Sequence, residues 1–177
     1  MSDQFFTDLE NHLGASVDYL REMKSKSQSA FDKYTQVIPL AAHREFISKE
    51  NSFIAHMLAT VGEDCGPCAQ IIVNLASKED LSPAFMDAVV QARRKDLSDE
   101  QNLVYDFVQA TVDNSENQNE LREQVKDTLG EEALVDLGLA MASARIFPTV
   151  KRTMGFAKTC QKVTIEGNET NVAKNRA

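Results

Sequence analysis

Phe53-Ile54-Ala55-His56-Met57-Leu58-Ala59-Thr60-Val61-Gly62-Glu63-Asp64-Cys65-Gly66-Pro67-Cys68-Ala69-Gln70-Ile71-Ile72-Val73-Asn74-Leu75-Ala76 is the stretch on which the fold class turns. Ahead of the cysteines, Phe53, Ile54, Met57, Leu58 and Val61 follow the spacing of an apolar helical stripe, and Gly62 can end it. Behind them, a helix starts at the cysteine motif, with Pro67 in its first turn, and runs through Ile71, Ile72, Val73, Leu75 and Ala76. The β-branched run Ile71-Ile72-Val73 continues a helical pattern on both sides. The stretch therefore reads helix, Cys-x-x-Cys, helix.

Working outward, the same period recurs. Ser2 or Asp3 can cap a helix carrying Phe5, Phe6, Leu9 and Leu13, which Gly14 breaks. Val17, Leu20 and Met23 continue a second stripe, and Ser25 to Ser29 form a small polar connection. Phe31, Tyr34, Val37 and Ile38 mark a third helix, and Pro39 to Lys49 suits one beginning at proline. Ser82-Pro83 opens a helix to about Lys95, and Ser98-Asp99-Glu100-Gln101 has the form of a capping box. Leu121, Val125 and Leu129 precede Gly130, and a helix from Glu131 to Phe147 is expected to stop or kink at Pro148. Thr149 to Lys162 reads as the last helix, and 164–177 as a polar, flexible tail. No period-two alternation is long enough for a strand. The class is all-α, one domain over residues 1–163.

Composition narrows the function. The net charge of −8 disfavours nucleic acid and anionic membranes as partners. The charge is uneven: Val150 to Ala177 carries six basic residues against two acidic, so that segment is +4 and the remainder −12. That cluster reads as a solvated face, or as a contact with the acidic body of a second subunit. No signal peptide is read at the N-terminus, and no run approaches the ~20 apolar residues of a membrane span. Three cysteines, an odd number, argue against a secreted disulfide scaffold. The expected compartment is the cytoplasm, where a close cysteine pair is explained by catalysis or metal. Asn168-Glu169-Thr170 matches the glycosylation sequon, which carries nothing without secretion.

The cysteine motif admits four chemistries. Thioredoxin places Cys-Gly-Pro-Cys after a strand in a βαβ unit; here a helical stripe precedes it and the chain has no Trp. A structural zinc needs two further ligands, and neither Cys160, His12, His43 nor His56 has a partner at ligand spacing. A c-type haem is excluded because Ala69 stands where histidine must follow the second cysteine. Two cysteines packed as small hydrophobes fit poorly with Gly-Pro between them and Glu63-Asp64 before them. What remains is a redox pair at the start of a helix, where free N–H groups favour a thiolate. Cys160, between Lys158 and Lys162, reads as a structural cysteine.

In this respect the chain resembles the carboxymuconolactone decarboxylase and alkylhydroperoxidase D-like (AhpD-like) family. The resemblance rests on the helix Phe53 to Val61, on Cys65 and Cys68, and on the helix Ile71 to Ala76. It extends to Leu97-Ser98-Asp99-Glu100-Gln101 and to Ala144-Arg145-Ile146-Phe147-Pro148-Thr149-Val150-Lys151-Arg152, as in the branch carrying Cys-Gly-Pro-Cys. It spans about residues 39–160, with the first 38 looking like an added helical segment.

The resemblance implies an AhpD-like helical bundle that assembles as a homo-oligomer and reduces hydroperoxides or partner disulfides through the Cys65/Cys68 dithiol. It implies a separate thiol reductant, lipoyl or thioredoxin-like, and neither cofactor nor metal. The family mechanism has Cys68 attack and Cys65 resolve the sulfenic acid; helix-end logic favours Cys65 instead. The family's relay glutamate and histidine are replaced here by Phe53 and Ile72. Glu63 and His56 are the candidate substitutes, though a carboxylate beside a thiol also stabilises its neutral form. A non-catalytic helical oligomer or small-molecule-binding protein that lost the relay is the alternative. Decarboxylation, which needs no cysteine pair, ranks last.

Overall fold

The computed structural model describes residues 3–159 and 161–173; Met1, Ser2, Cys160 and the final four residues lie outside them. Helix α1 (Asp3–Leu13) stops at Gly14, whose φ of +62° suits glycine. A Cβ at Gly14 would also meet the Asn74 amide nitrogen at 2.7 Å. Then come α2 (Asp18–Lys26), α3 (Gln28–Tyr34) and the short α4 (Val37–Ala41). Ser27 caps α3, its hydroxyl accepting from the Ala30 N–H at 3.2 Å. Phe6, Val17, Tyr19, Leu20 and Phe31 of this segment close on one another as a small core of their own.

The main core is built around α5 (Lys49–Gly62), in which residues 51–55 and 57–60 are buried. It packs against α8 (Asp99–Asp113) and α10 (Glu131–Thr153), with α6 (Gly66–Lys78), α7 (Pro83–Val90) and α9 (Gln118–Leu129) completing the shell. Gly62 lets α5 approach α8 closely, since a Cβ there would sit 2.9 Å from Val112. The capping box forms: Ser98 Oγ accepts from the Gln101 N–H, and Gln101 Oε1 from the Ser98 N–H at 2.9 Å. The architecture is all-α, with one small two-stranded addition.

Several expectations need correction: the helix expected to about Lys95 ends at Val90, and the stripe from Phe31 to Ile38 is split between α3 and α4. Pro39 to Lys49 is not one helix. α4 ends at Ala41, and residues 42–48 form a loop because Asp136 on α10 captures three successive donors. Its Oδ2 accepts from the N–H groups of Glu45 (2.8 Å), Phe46 (2.6 Å) and Ile47 (3.3 Å). Pro148 does not end α10. Ala144, Pro148 and Lys151 are all buried along it, and that packing offsets the ~3 kcal/mol a mid-helix proline costs.

The helix expected over Thr149 to Lys162 ends at Thr153. Gly155, at φ +82°, makes the left-handed cap, and the Phe156 N–H bonds back to the Lys151 carbonyl at 2.7 Å. Finally, the supposed tail begins as a hairpin, β1 (Lys162–Ile165) against β2 (Asn168–Asn171). Glu166 and Gly167 both take positive φ, the two-residue turn that matches strand twist. Val163, Ile165, Thr170 and Val172 are buried, which is why the segment is held rather than loose.

α10 also qualifies the membrane reading, being long and apolar enough to cross a bilayer. It instead lies against the bundle and buries Asp136, Ser143 and Lys151 there, groups a lipid-facing surface would not carry.

Candidate active site

Between α5 and α6 the chain reverses through Asp64, which takes φ +52°, a region a non-glycine residue enters in tight turns. Cys65 follows as the extended N-cap of α6, and Pro67 fills the first turn, where no N–H is required. One turn of helix then brings Cys68 back toward Cys65. The two are joined as a disulfide, their Cα atoms 5.3 Å apart.

Access to the two sulfurs is unequal. Cys65 is 0% exposed and Cys68 5%. The Gly66 N–H donates to the Lys158 carbonyl at 2.9 Å, laying the segment after α10 against the motif. That bond also revises the helix-end argument. Gly66 is engaged, Pro67 has no N–H, and the Cys68 and Ala69 N–H groups bond the Cys65 carbonyl at 3.1 and 3.0 Å. No free donor in this first turn is left to favour a Cys65 thiolate. Cys68, by contrast, lines a cavity of about 530 Å³.

The cavity sits at the seam of the two cores. Leu9, Leu13 and Leu20 wall it from the N-terminal segment, and Phe53, Ile72 and Ala144 from the main bundle. Phe53 and Ile72, where the resemblance would set a glutamate and a histidine, thus present hydrocarbon to the same space as Cys68. His56 lines the cavity too. Its Nδ1 lies 2.9 Å from the Ser52 carbonyl and its Nε2 3.1 Å from that of Ala41. Burial pushes the imidazole below its usual range, and the two carbonyls pull the other way. A neutral ring can donate to one of them only. Among the described residues no hydrogen bond joins His56 to either cysteine.

Glu63 stands at the C-cap of α5 with both oxygens committed. Oε1 accepts from Arg145 Nε at 2.9 Å, and Oε2 lies 3.5 Å from Arg152 Nη1. It ties the end of α5 to α10. Neither candidate base is therefore free, while the two cysteines are brought together. Among the described residues no three His, Cys, Asp or Glu side chains gather as metal ligands.

Two cavity residues escaped the sequence reading. Lys151 is 3% exposed and Tyr19 also buried, the lysine Nζ 4.8 Å from the tyrosine ring centroid. Lys151 is legible in the sequence, since it continues the buried stripe Leu137, Ala140, Met141, Ala144, Pro148 at helical spacing, whereas the basic cluster read as a solvated face or an intersubunit contact includes it. Comparison of the chain with protein-family models, with curated proteins and with solved structures returned no match.

Proposed function

We propose that the chain is a thiol oxidoreductase of AhpD-like type, related to the carboxymuconolactone decarboxylases. The observation that carries this reading is a closed Cys65–Cys68 pair whose second sulfur borders a cavity of ligand size. In the reduced protein, the Cys68 thiolate attacks the terminal oxygen of a hydroperoxide. The O–O bond breaks, the alcohol leaves with a proton, and Cys68 becomes a sulfenic acid. The Cys65 thiol then attacks that sulfur, water departs, and the disulfide forms, its two electrons having reduced the peroxide. An external dithiol restores both thiols by exchange.

Access supports Cys68 as the attacking sulfur, as in the family mechanism. It also favours a small hydroperoxide over a protein disulfide, and a slender lipoyl arm over a thioredoxin-like partner. Cytoplasmic location and homo-oligomeric assembly belong to the same proposal. Phe46 and Val135, the large exposed hydrophobics among the described residues, offer an apolar contact for such an assembly.

The test is hydroperoxide consumption with a supplied dithiol. Cys68→Ser should abolish it, and Cys65→Ser should give one turnover that leaves a sulfenic acid trappable by dimedone. Equal background from wild type and both variants rejects the reading. The second reading, a non-catalytic binding protein, is favoured by hydrocarbon at Phe53 and Ile72 and by the engagement of Glu63 and His56.

A further inference from the structure

Lys151 sets a physical problem that the redox chemistry does not address. It is 3% exposed and lies on the cavity wall, and among the described residues it makes no ion pair and no hydrogen bond to oxygen. Its ammonium lies over the face of Tyr19. The other lysines and the arginine around the cavity are all engaged. Arg44 pairs with Glu79 at 2.7 Å; Lys49 Nζ donates to the carbonyl of Glu79, and Lys78 Nζ to that of His12. A buried ammonium without an anion is costly, so its retention on the cavity wall points to a ligand that brings the anion.

The chemistry of that ligand follows from its surroundings. One unmatched ammonium calls for one negative charge, because Arg44, Lys49 and Lys78 on the same lining already have partners among the described residues. Tyr19 covers part of the ammonium and is itself no counter-ion, since burial raises its pKa to about 12. Leu13, Leu20, Ile38, Phe53 and Ile72 supply apolar wall from both cores, while Arg44, Lys49, His56, Lys78 and Glu79 on the same lining are engaged with one another or with backbone carbonyls.

We propose that the cavity binds an apolar monocarboxylate of the fatty-acid kind, its carboxylate on Lys151 and its chain against Leu13, Leu20, Ile38, Phe53 and Ile72. The inference stands apart from the thiol reading, because the pairing needs the disulfide neither open nor closed. The N-terminal segment then acquires a task. It supplies Leu13, Leu20 and Ile38, and through Tyr19 it holds the ammonium that fixes the ligand's head.

The experiment compares dodecanoate with dodecanol below their aggregation limits, on the oxidised full chain, by calorimetry and thermal shift. Wild type should bind dodecanoate roughly ten- to a hundredfold more tightly than dodecanol, the span of one charge-assisted hydrogen bond. Lys151→Met should remove that preference and leave dodecanol unchanged, while Lys151→Arg should keep much of it. A Cys65→Ser/Cys68→Ser double variant should bind as wild type does, so that loss of peroxide turnover and loss of binding are scored separately. Equal binding of acid and alcohol by wild type, or no binding of either, overturns the proposal. Undiminished dodecanoate affinity in Lys151→Met overturns it as well. If Lys151→Met fails to fold, the wild-type comparison of acid and alcohol still decides.

Discussion

Gln70 and Thr164 exchange two hydrogen bonds. Gln70 Oε1 accepts from the Thr164 N–H at 2.7 Å, and its Nε2 donates to the Thr164 carbonyl at 2.9 Å. The side chain thereby completes a strand edge and docks β1 on α6, two residues past Cys68. Gln70→Ala should cost about 1 kcal/mol, because two hydrogen bonds at an exposed strand edge are handed over to water. Hydrogen exchange should show the loss of protection confined to 162–171. Wild-type protection there in the variant would mean that the buried Val163, Ile165 and Thr170 hold the hairpin alone.

The commitment of Glu63 to Arg145 and Arg152 makes a kinetic claim. Glu63→Gln in the reduced protein should change the alkylation rate of Cys68 by less than about threefold, with stability lowered by under ~1 kcal/mol, the scale of exposed ion pairs. A tenfold slower reaction would restore the carboxylate as a base.

Asp136 is the anchor for the loop that leads into α5 and edges the cavity at Ala42 and Arg44. Burial opposes its charge, but the N–H groups of Phe46, Glu45 and Ile47 hold its carboxyl below the usual range. The charged form thus contributes stability above the ordinary aspartate pKa, and that contribution is lost as acid protonates it. Asp136→Ala takes the acceptor from three N–H groups, that of Ile47 buried and those of Glu45 and Phe46 partly so, and should cost about 2–3 kcal/mol in urea unfolding at neutral pH. A loss below about 1 kcal/mol would show that water replaces the carboxylate without penalty.

His56 should make the protein acid-sensitive in a higher window. Its folded-state pKa is depressed by burial, so the unfolded chain takes up the proton first as pH falls through about 6.5. Stability is then full above that pH and declines below it. His56→Asn should flatten the slope between pH 6.5 and 5, before the carboxylates titrate. Parallel slopes for the two proteins would place the acid sensitivity elsewhere.

What could be read from residues alone followed local rules. The capping box at Ser98, the stop at Gly14 and the helix–Cys-x-x-Cys–helix core needed only period and cap chemistry, and all are present. The misreadings occurred where distant partners decide. The 42–48 loop exists because Asp136, ninety residues on, collects its donors. The hairpin exists because Gln70 and the core accept a four-residue alternation too short to stand alone. α10 passes Pro148 because burial on both sides outweighs one lost bond, while Gly155 is a local stop signal present in the sequence. At the site, the cysteines were legible from spacing. The engagement of Glu63 and His56 was not, since their partners come from α10 and α4.

Lys151 gives the sharpest pH signature. Burial lowers its pKa from 10.5 to about 8, so between these values the unfolded chain carries a proton that the folded chain has released. Folding is therefore penalised most at neutral pH and below, where the ammonium is charged in both states. Stability should recover as pH rises from 8 toward 10, ahead of tyrosine ionisation in the unfolded chain. A depression of this size is worth about 3 kcal/mol. Lys151→Met, which removes the charge and keeps an unbranched side chain of similar reach, should be more stable than wild type by about that amount at pH 7. The advantage should shrink toward zero by pH 10, followed by urea unfolding at half-unit intervals. A pH-independent difference would mean that Lys151 acts through packing alone. Saturating dodecanoate should remove most of the pH 7 advantage, because the ligand supplies the counter-charge that the folded chain lacks.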